Sequence, residues 1–233
     1  MISLRALVVA DQESKFIWEH FDRSRFQGID VIVSCGDLKA SYLSFLTTMV
    51  AAPLLYVPGN HDAAYLHEPP EGCEDLTRRM VTIKGVRFIG FGGANSRTPQ
   101  PFHYTERDMA RAVVRRIPEI CTHGGFDVLV THAPPLGIGD GEDSFHKGFG
   151  AYNALMNQFR PHFHLHGHQH MNYKGAAKQS EYGQTQIING YGYHIVELAI
   201  PRKKPARLSY IKTRYDWGKT YAGQLSATST PGL

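Results

Sequence analysis

Apolar residues fall in short runs, each followed by a polar or glycine-bearing stretch. Leu4–Ala10 is such a run, broken only by Arg5, and reads as a buried strand. Phe16, Ile17, Phe21 and Phe26 recur at roughly helical spacing over 13–27, and Gly28 closes the segment. A second strand is predicted at Asp30–Ser34, a helix at 39–50 and a third strand at Pro53–Val57. This alternation predicts a layered α/β sheet with parallel strands.

Residues 63–80 carry charges and Pro69-Pro70 and read as irregular. Val81–Ile83 and Val86–Phe91 flank Lys84-Gly85 and predict a hairpin. A helix is predicted over 105–117, ended by Pro118, and a buried strand over Asp127–Thr131. A glycine-rich acidic loop, expected to be mobile, covers 136–148. It is followed by a helix at about 150–159 and a strand at His162–His166. Gln186–Ile188 and His194–Leu198 read as antiparallel strands. The division expected is a single domain over 1–215 and a polar C-terminal tail over 216–233.

Composition narrows the class. Of 233 residues, 42% are hydrophobic and 20% charged, enough apolar material for a sizeable core. The net charge of +4 suits anionic substrates but is too weak for a nucleic-acid surface. The Arg202-Lys203-Lys204 triplet lies between Pro201 and Pro205 and reads as a solvated turn. The apolar N-terminus contains Arg5, runs straight into Asp11 and lacks a cleavage site, so it reads as a core strand and not a leader. No run is long enough to span a membrane. Cys35, Cys73 and Cys121 form no short-spaced pair, so a reducing, cytoplasmic setting is expected.

The chain has 13 histidines, and more than half fall between His132 and His170. What gives them meaning is position. Each predicted strand ends in a polar cluster: Asp11-Gln12-Glu13, Gly36-Asp37, Gly59-Asn60-His61-Asp62, Thr131-His132 and Gly167-His168-Gln169-His170. In open α/β sheets ligands bind beyond the carboxyl ends of the strands, so these clusters should converge. Asp11, Asp37, Asn60, His132, His168 and His170 offer oxygen and imidazole donors without a thiolate, which suits manganese, iron, zinc or a similar ion. They exceed what one ion can use and suit two ions sharing a carboxylate. His168 and His170 are two apart, and on an extended strand both would face one centre.

Taken in order, these clusters resemble the D-x-H, G-D, G-N-H-[DE], [GT]-H and G-H-x-H motifs of the calcineurin-like metallophosphoesterases, and the match runs from the first strand to residue 170. The resemblance implies a four-layer αββα sandwich with mixed sheets and a dimetal site. It implies that Asp37 bridges the ions, that Asp11 and His170 hold the first, and that Asn60, His132 and His168 hold the second. His61 would be the catalytic residue, steadying the phosphate and giving a proton to the leaving oxygen. The departure is Glu13, where the family has histidine. Either Glu13 is a carboxylate ligand of the first ion, tilting the site toward manganese or magnesium, or it complements the dipole of the following helix.

Other candidates read more plainly. His162, His164 and His166 share a parity that could line the approach to the site, but satisfied core histidines are the commoner outcome. His146 and Lys147, and Asn95 and Arg97 after the Val86–Phe91 strand, could meet a phosphate, although each alone reads as a loop residue. Asp62 could orient His61 or face solvent. The function expected is hydrolysis of a small-molecule phosphate ester, a phosphodiester or nucleotide-type molecule first, by in-line attack of a water shared between two divalent cations. Manganese is the first choice of metal, with iron, zinc or magnesium as others. No membrane partner is expected. A nuclease is disfavoured by the lack of a basic stripe. The rival class, raised by Glu13, is a non-catalytic scaffold that keeps the fold with a degenerate site.

Overall fold

Alternation along the first strand sets the layering. In β1 (Ile2–Ala10), Leu4, Ala6, Val8 and Ala10 face one hydrophobic cluster, while Leu7 and Val9 face another. Successive side chains on a strand point to opposite faces, so a strand apolar on both sides must be covered on both. The computed structural model describes residues 1–143, 146–170, 179–201 and 208–228.

One sheet runs β13-β1-β2-β3-β4, with β2 (Val31–Ser34), β3 (Leu54–Tyr56), β4 (Cys73–Asp75) and β13 (Gly192–Ile200). The other runs β11-β12-β10-β9-β6-β5, with β5 (Val81–Ile83), β6 (Val86–Phe91), β9 (Val128–Thr131), β10 (Phe163–His166), β11 (Gln179–Tyr182) and β12 (Thr185–Asn189). β1, β2, β3 and β4 are parallel to one another, as are β6, β9, β10 and β12, while β13, β5 and β11 pair antiparallel. The inner faces meet through Val8, Val33 and Leu55 of one sheet and Phe88, Val130 and Leu165 of the other. The first sheet's outer face is covered by α1 (Lys15–Glu19) and α2 (Ala40–Met49), the second's by α3 (Glu106–His123), α4 (Gly150–Phe159) and α5 (Tyr210–Thr228). This is the four-layer αββα arrangement with mixed sheets.

Several local expectations change. The helix over 13–27 is two pieces, α1 and a 3-10 turn at Arg23–Phe26, because Asp22 caps the second piece by accepting from Ser24 N at 3.0 Å. Pro118 sits inside α3 and does not end it. Its missing N–H and ring normally cost about 3 kcal/mol, but Ile117 and Ile120 on either side are fully buried, and the helix stops instead at left-handed Gly124. Residues 63–80 contain the edge strand β4. β12 and β13 are not partners: β12 runs parallel to β10 in one sheet and β13 antiparallel to β1 in the other.

The polar tail expected from residue 216 is, up to Thr228, part of α5. Trp217 is 3% exposed and stacks on Tyr221 at 5.5 Å, and Gln158 Nε2 of α4 donates to the Thr213 carbonyl at 2.8 Å. Aromatic residues spaced one helical turn apart carry that segment into the core. The Arg202-Lys203-Lys204 triplet and the last five positions lie outside the described residues. No helix among the described residues is long and apolar enough to cross a membrane.

Trp217→Ala should lower the unfolding free energy by about 3 kcal/mol, the usual cost of emptying a buried aromatic site. Urea denaturation checks this, and an unchanged midpoint would mean α5 is not part of the core.

Candidate metal centre

Parallel strands in both sheets deliver their carboxyl ends to the same edge, and the polar clusters lie there. Asp11 follows β1, Asp37 follows β2, and Asn60 and His61 follow β3. His132 follows β9 and His168 follows β10. Donor atoms of Asp37, His132 and His168 lie within 4.8 Å of one another. Asn60 Oδ1 is 2.9 Å from His132 Nε2, and Asp37 Oδ2 is 3.3 Å from the same nitrogen. A second group sits alongside, with His170 Nε2 3.8 Å from Asp11 Oδ1.

Backbone geometry makes this convergence possible. The Gly59 backbone passes directly against the Asp37 carboxylate, where any Cβ would collide with it. A Cβ on Gly167 would lie 2.7 Å from Asp11 Oδ2. Asp11, Asp37 and His168 themselves have φ of 61°, 57° and 67°. Non-glycine residues in this left-handed region cost of order 1–3 kcal/mol each and concentrate at functional sites.

Hydrogen bonds hold the strained turns. The Asp11 carboxylate accepts the His168 backbone N–H at 2.9 and 3.0 Å, joining the two sheets. Asp62, buried, accepts from Gly59 N at 2.7 Å and Asp37 N at 2.8 Å. It therefore neither faces solvent nor bonds the His61 ring; it closes the turn between two ligand-bearing strands. The His61 N–H donates to Asp37 Oδ1 at 2.8 Å, while the side chain is exposed and lines the adjoining cavity.

The donor set fits a cation. His132 Nδ1 lies 2.8 Å from the Cys35 carbonyl, which can only accept, so Nδ1 carries a proton and Nε2 is the atom offered to the centre. There Nε2 faces an amide oxygen and a carboxylate, two acceptors that either a proton on Nε2 or a cation among them satisfies. Burial opposes charge on His132, but the Asp37 carboxylate outweighs it and lifts the imidazole to about 9. Burial also pushes Asp37 up, yet His132 prevails and holds it at about 2. For Asp11 burial dominates, with Asp37 adding repulsion, and the carboxyl rises to about 7. Burial likewise raises Asp62 to about 6, against its backbone donors. Carboxylates are thus packed here more densely than the neighbouring fixed charge offsets.

Glu13 stands apart from both groups. It precedes Ser14, the N-cap of α1, and turns to α2, where Oε1 accepts from Lys39 N at 3.4 Å and Oε2 pairs with Lys39 Nζ at 3.8 Å. It still lines the same cavity of about 650 Å3 as Asp11, Asp37 and His61. His168 and His170 are not on an extended strand. β10 ends at His166, and the turn at His168 sends His168 toward Asp37 and His170 toward Asp11. His164 and His166 are core residues: His164 Nε2 bonds Thr131 Oγ1 at 2.7 Å, and burial pushes both rings down, His166 to about 4. Sequence reasoning gave too little weight to Asp62 and Lys39; a carboxylate three residues after Gly59 was the available signal for the first.

Comparison with known proteins agrees with this fold. A crystal structure superposes with a TM-score of 0.62 at 16% identity, covering 84% of this chain and 96% of that one. Vps29 from Chaetomium thermophilum overlaps at a TM-score of 0.36 and 14% identity, covering 80% of this chain and 70% of that one, too loosely to bear on function. Among curated proteins, UPF0046 protein K07C11.7 of Caenorhabditis elegans is 24% identical over 188 residues. That match takes in 69% of this chain and 61% of the relative, so the chain spans less than two thirds of that protein's length. The family model for calcineurin-like phosphoesterases matches residues 10–172. Since that stretch contains every strand end that feeds the centre, the chain belongs to the calcineurin-like phosphoesterase family.

Proposed function

We propose that this chain is a phosphoesterase that hydrolyses small phosphate esters, phosphodiesters or nucleotide-type molecules before monoesters, with two divalent cations, manganese before iron, zinc or magnesium. The observation that carries the reading is the cluster of Asp37, Asn60, His132 and His168 acceptor atoms beside a second pair, Asp11 and His170. Asp37, whose carboxylate lies 3.3 Å from His132 Nε2, would serve both ions. Asn60, His132 and His168 would hold one. Asp11 and His170 would hold the other, and two protein donors fall short of the usual four to six. Glu13 would supply a third from the cavity wall by releasing Lys39.

Bound divalent cations polarise phosphoryl oxygens and acidify water at neutral pH. The protein's own part is positional. Asp62 fixes the Gly59 and Asp37 backbones, so the carboxylate and the neighbouring His61 keep a constant relation. His61, exposed on the cavity side, binds a phosphoryl oxygen and delivers a proton to the leaving oxygen. The three cysteines are free, which fits a reducing compartment. One observation favours the scaffold reading, the pairing of Glu13 with Lys39 in place of a metal-facing side chain.

Bis-p-nitrophenyl phosphate with added manganese should be turned over, and His61→Ala should cut the rate by about 100-fold or more with metal content unchanged. Full activity in that variant would remove His61 from its role. Absence of both stoichiometric metal and turnover with any divalent ion would support the scaffold instead. In calorimetric titration, Glu13→Ala should weaken one of two manganese equivalents and spare the other; two unaltered equivalents would remove Glu13 from the ligand set.

A further inference from the structure

A second cavity of about 650 Å3 opens on the same sheet edge, walled by three separate segments that each contribute a cation: Arg97, Arg107 and Lys147. None of the three side chains makes an ion pair or hydrogen bond with a described residue. The arginines set deeper in the fold are engaged: Arg87 with Asp127 at 2.8 Å, Arg116 with Glu119 at 2.7 Å. The cavity's one acidic lining residue, Glu106, is already committed, its oxygens accepting from Gly150 N at 2.9 Å and Ala151 N at 2.8 Å. The wall therefore presents three cations against a single, already hydrogen-bonded carboxylate.

The segments are held in place, so this is more than loose surface charge. β7 (Ala94–Asn95) pairs with β8 (His103–Tyr104), which ties the Arg97 segment to the start of α3, where Arg107 lies. Asn95 Nδ2 donates to the Gly148 carbonyl at 3.3 Å, binding the first segment to the third. The third also reaches the metal centre. His146, next to Lys147, has its ring 5.3 Å from that of His168, and Gln169 Nε2 donates to the His146 carbonyl at 2.8 Å. The cationic cavity and the metal centre are thus two sides of one short loop.

We propose that this cleft is a second anion subsite, and that the substrate is a phosphate ester bearing another phosphoryl group at its far end. One phosphate sits at the metal centre while the other is gripped by Arg97, Arg107 and Lys147. Two guanidinium forks suit a tetrahedral dianion, which each can meet with paired N–H donors. The reach across the loop favours a substrate whose phosphates are separated by a spacer over one that joins them directly. The substrate assignment rests on the phosphoesterase reading; the anion-binding cleft does not.

Two measurements on the full chain separate these. In EDTA, calorimetry with adenosine 5′-monophosphate should show binding that weakens by about tenfold or more in Arg97→Gln/Arg107→Gln, the scale set by losing charge-assisted hydrogen bonds. No binding, or equal binding by both proteins, overturns the subsite. With manganese, thymidine 3′-phosphate 5′-(p-nitrophenyl phosphate) should show a KM about tenfold below that of thymidine 5′-(p-nitrophenyl phosphate). The double variant should erase that gap while leaving kcat on bis-p-nitrophenyl phosphate unchanged. Equal KM values in the unaltered chain overturn the substrate assignment. If neither ester is turned over, the phosphoesterase reading fails and the calorimetric result alone decides the cleft.

Discussion

Buried carboxylates at the closing edge of two sheets are the constraint on which this molecule turns. Asp11 and Asp62 are held out of water by backbone N–H groups, and Asp37 lies between them against His132. Placing such charges in an apolar setting is costly unless something positive is close. The chain meets part of the cost with aligned N–H donors and with the imidazole of His132. A bound cation would offset the remainder.

The same crowding explains the backbone. For acceptors from five strand ends to meet, the chain must turn sharply at Asp11, Asp37 and His168 and pass closely at Gly59 and Gly167. Left-handed conformations at three non-glycine residues are unfavourable in isolation. They persist because the flanking strands are buried toward their carboxyl ends and paired on both sides. The inter-sheet core, from Leu4 to Val130, is thus what stores the strain that the centre needs.

Charge is divided along this edge. The cavity bounded by Asp11, Glu13 and His61 is carboxylate-rich, and the one bounded by Arg97, Arg107 and Lys147 is cationic, with the His146–Gly148 loop between them. Two neighbouring fields of opposite sign discriminate along the length of a ligand better than either could alone.

Much of this was legible in the linear order of residues. Short apolar runs such as Asp127–Thr131, each followed by a donor, were enough to place β1, β2, β3, β9 and β10 and to send their ends to one edge, because period and strand-end rules act locally. The departure at Glu13 was visible too. What sequence could not show depended on partners distant in the chain. Pro118 stays within α3 because its neighbours are buried, and β12 and β13 part company because each finds a different sheet. Residues 216–228 are helical because Trp217 reaches a core assembled from α3 and α4. The direction of the Glu13 carboxylate, the closing of the turn by Asp62, and the gathering of three cations from segments 97, 107 and 147 were decided by tertiary structure. Each is a matter of ångströms between side chains that only packing brings together, and residue order specifies composition and local period but not those distances.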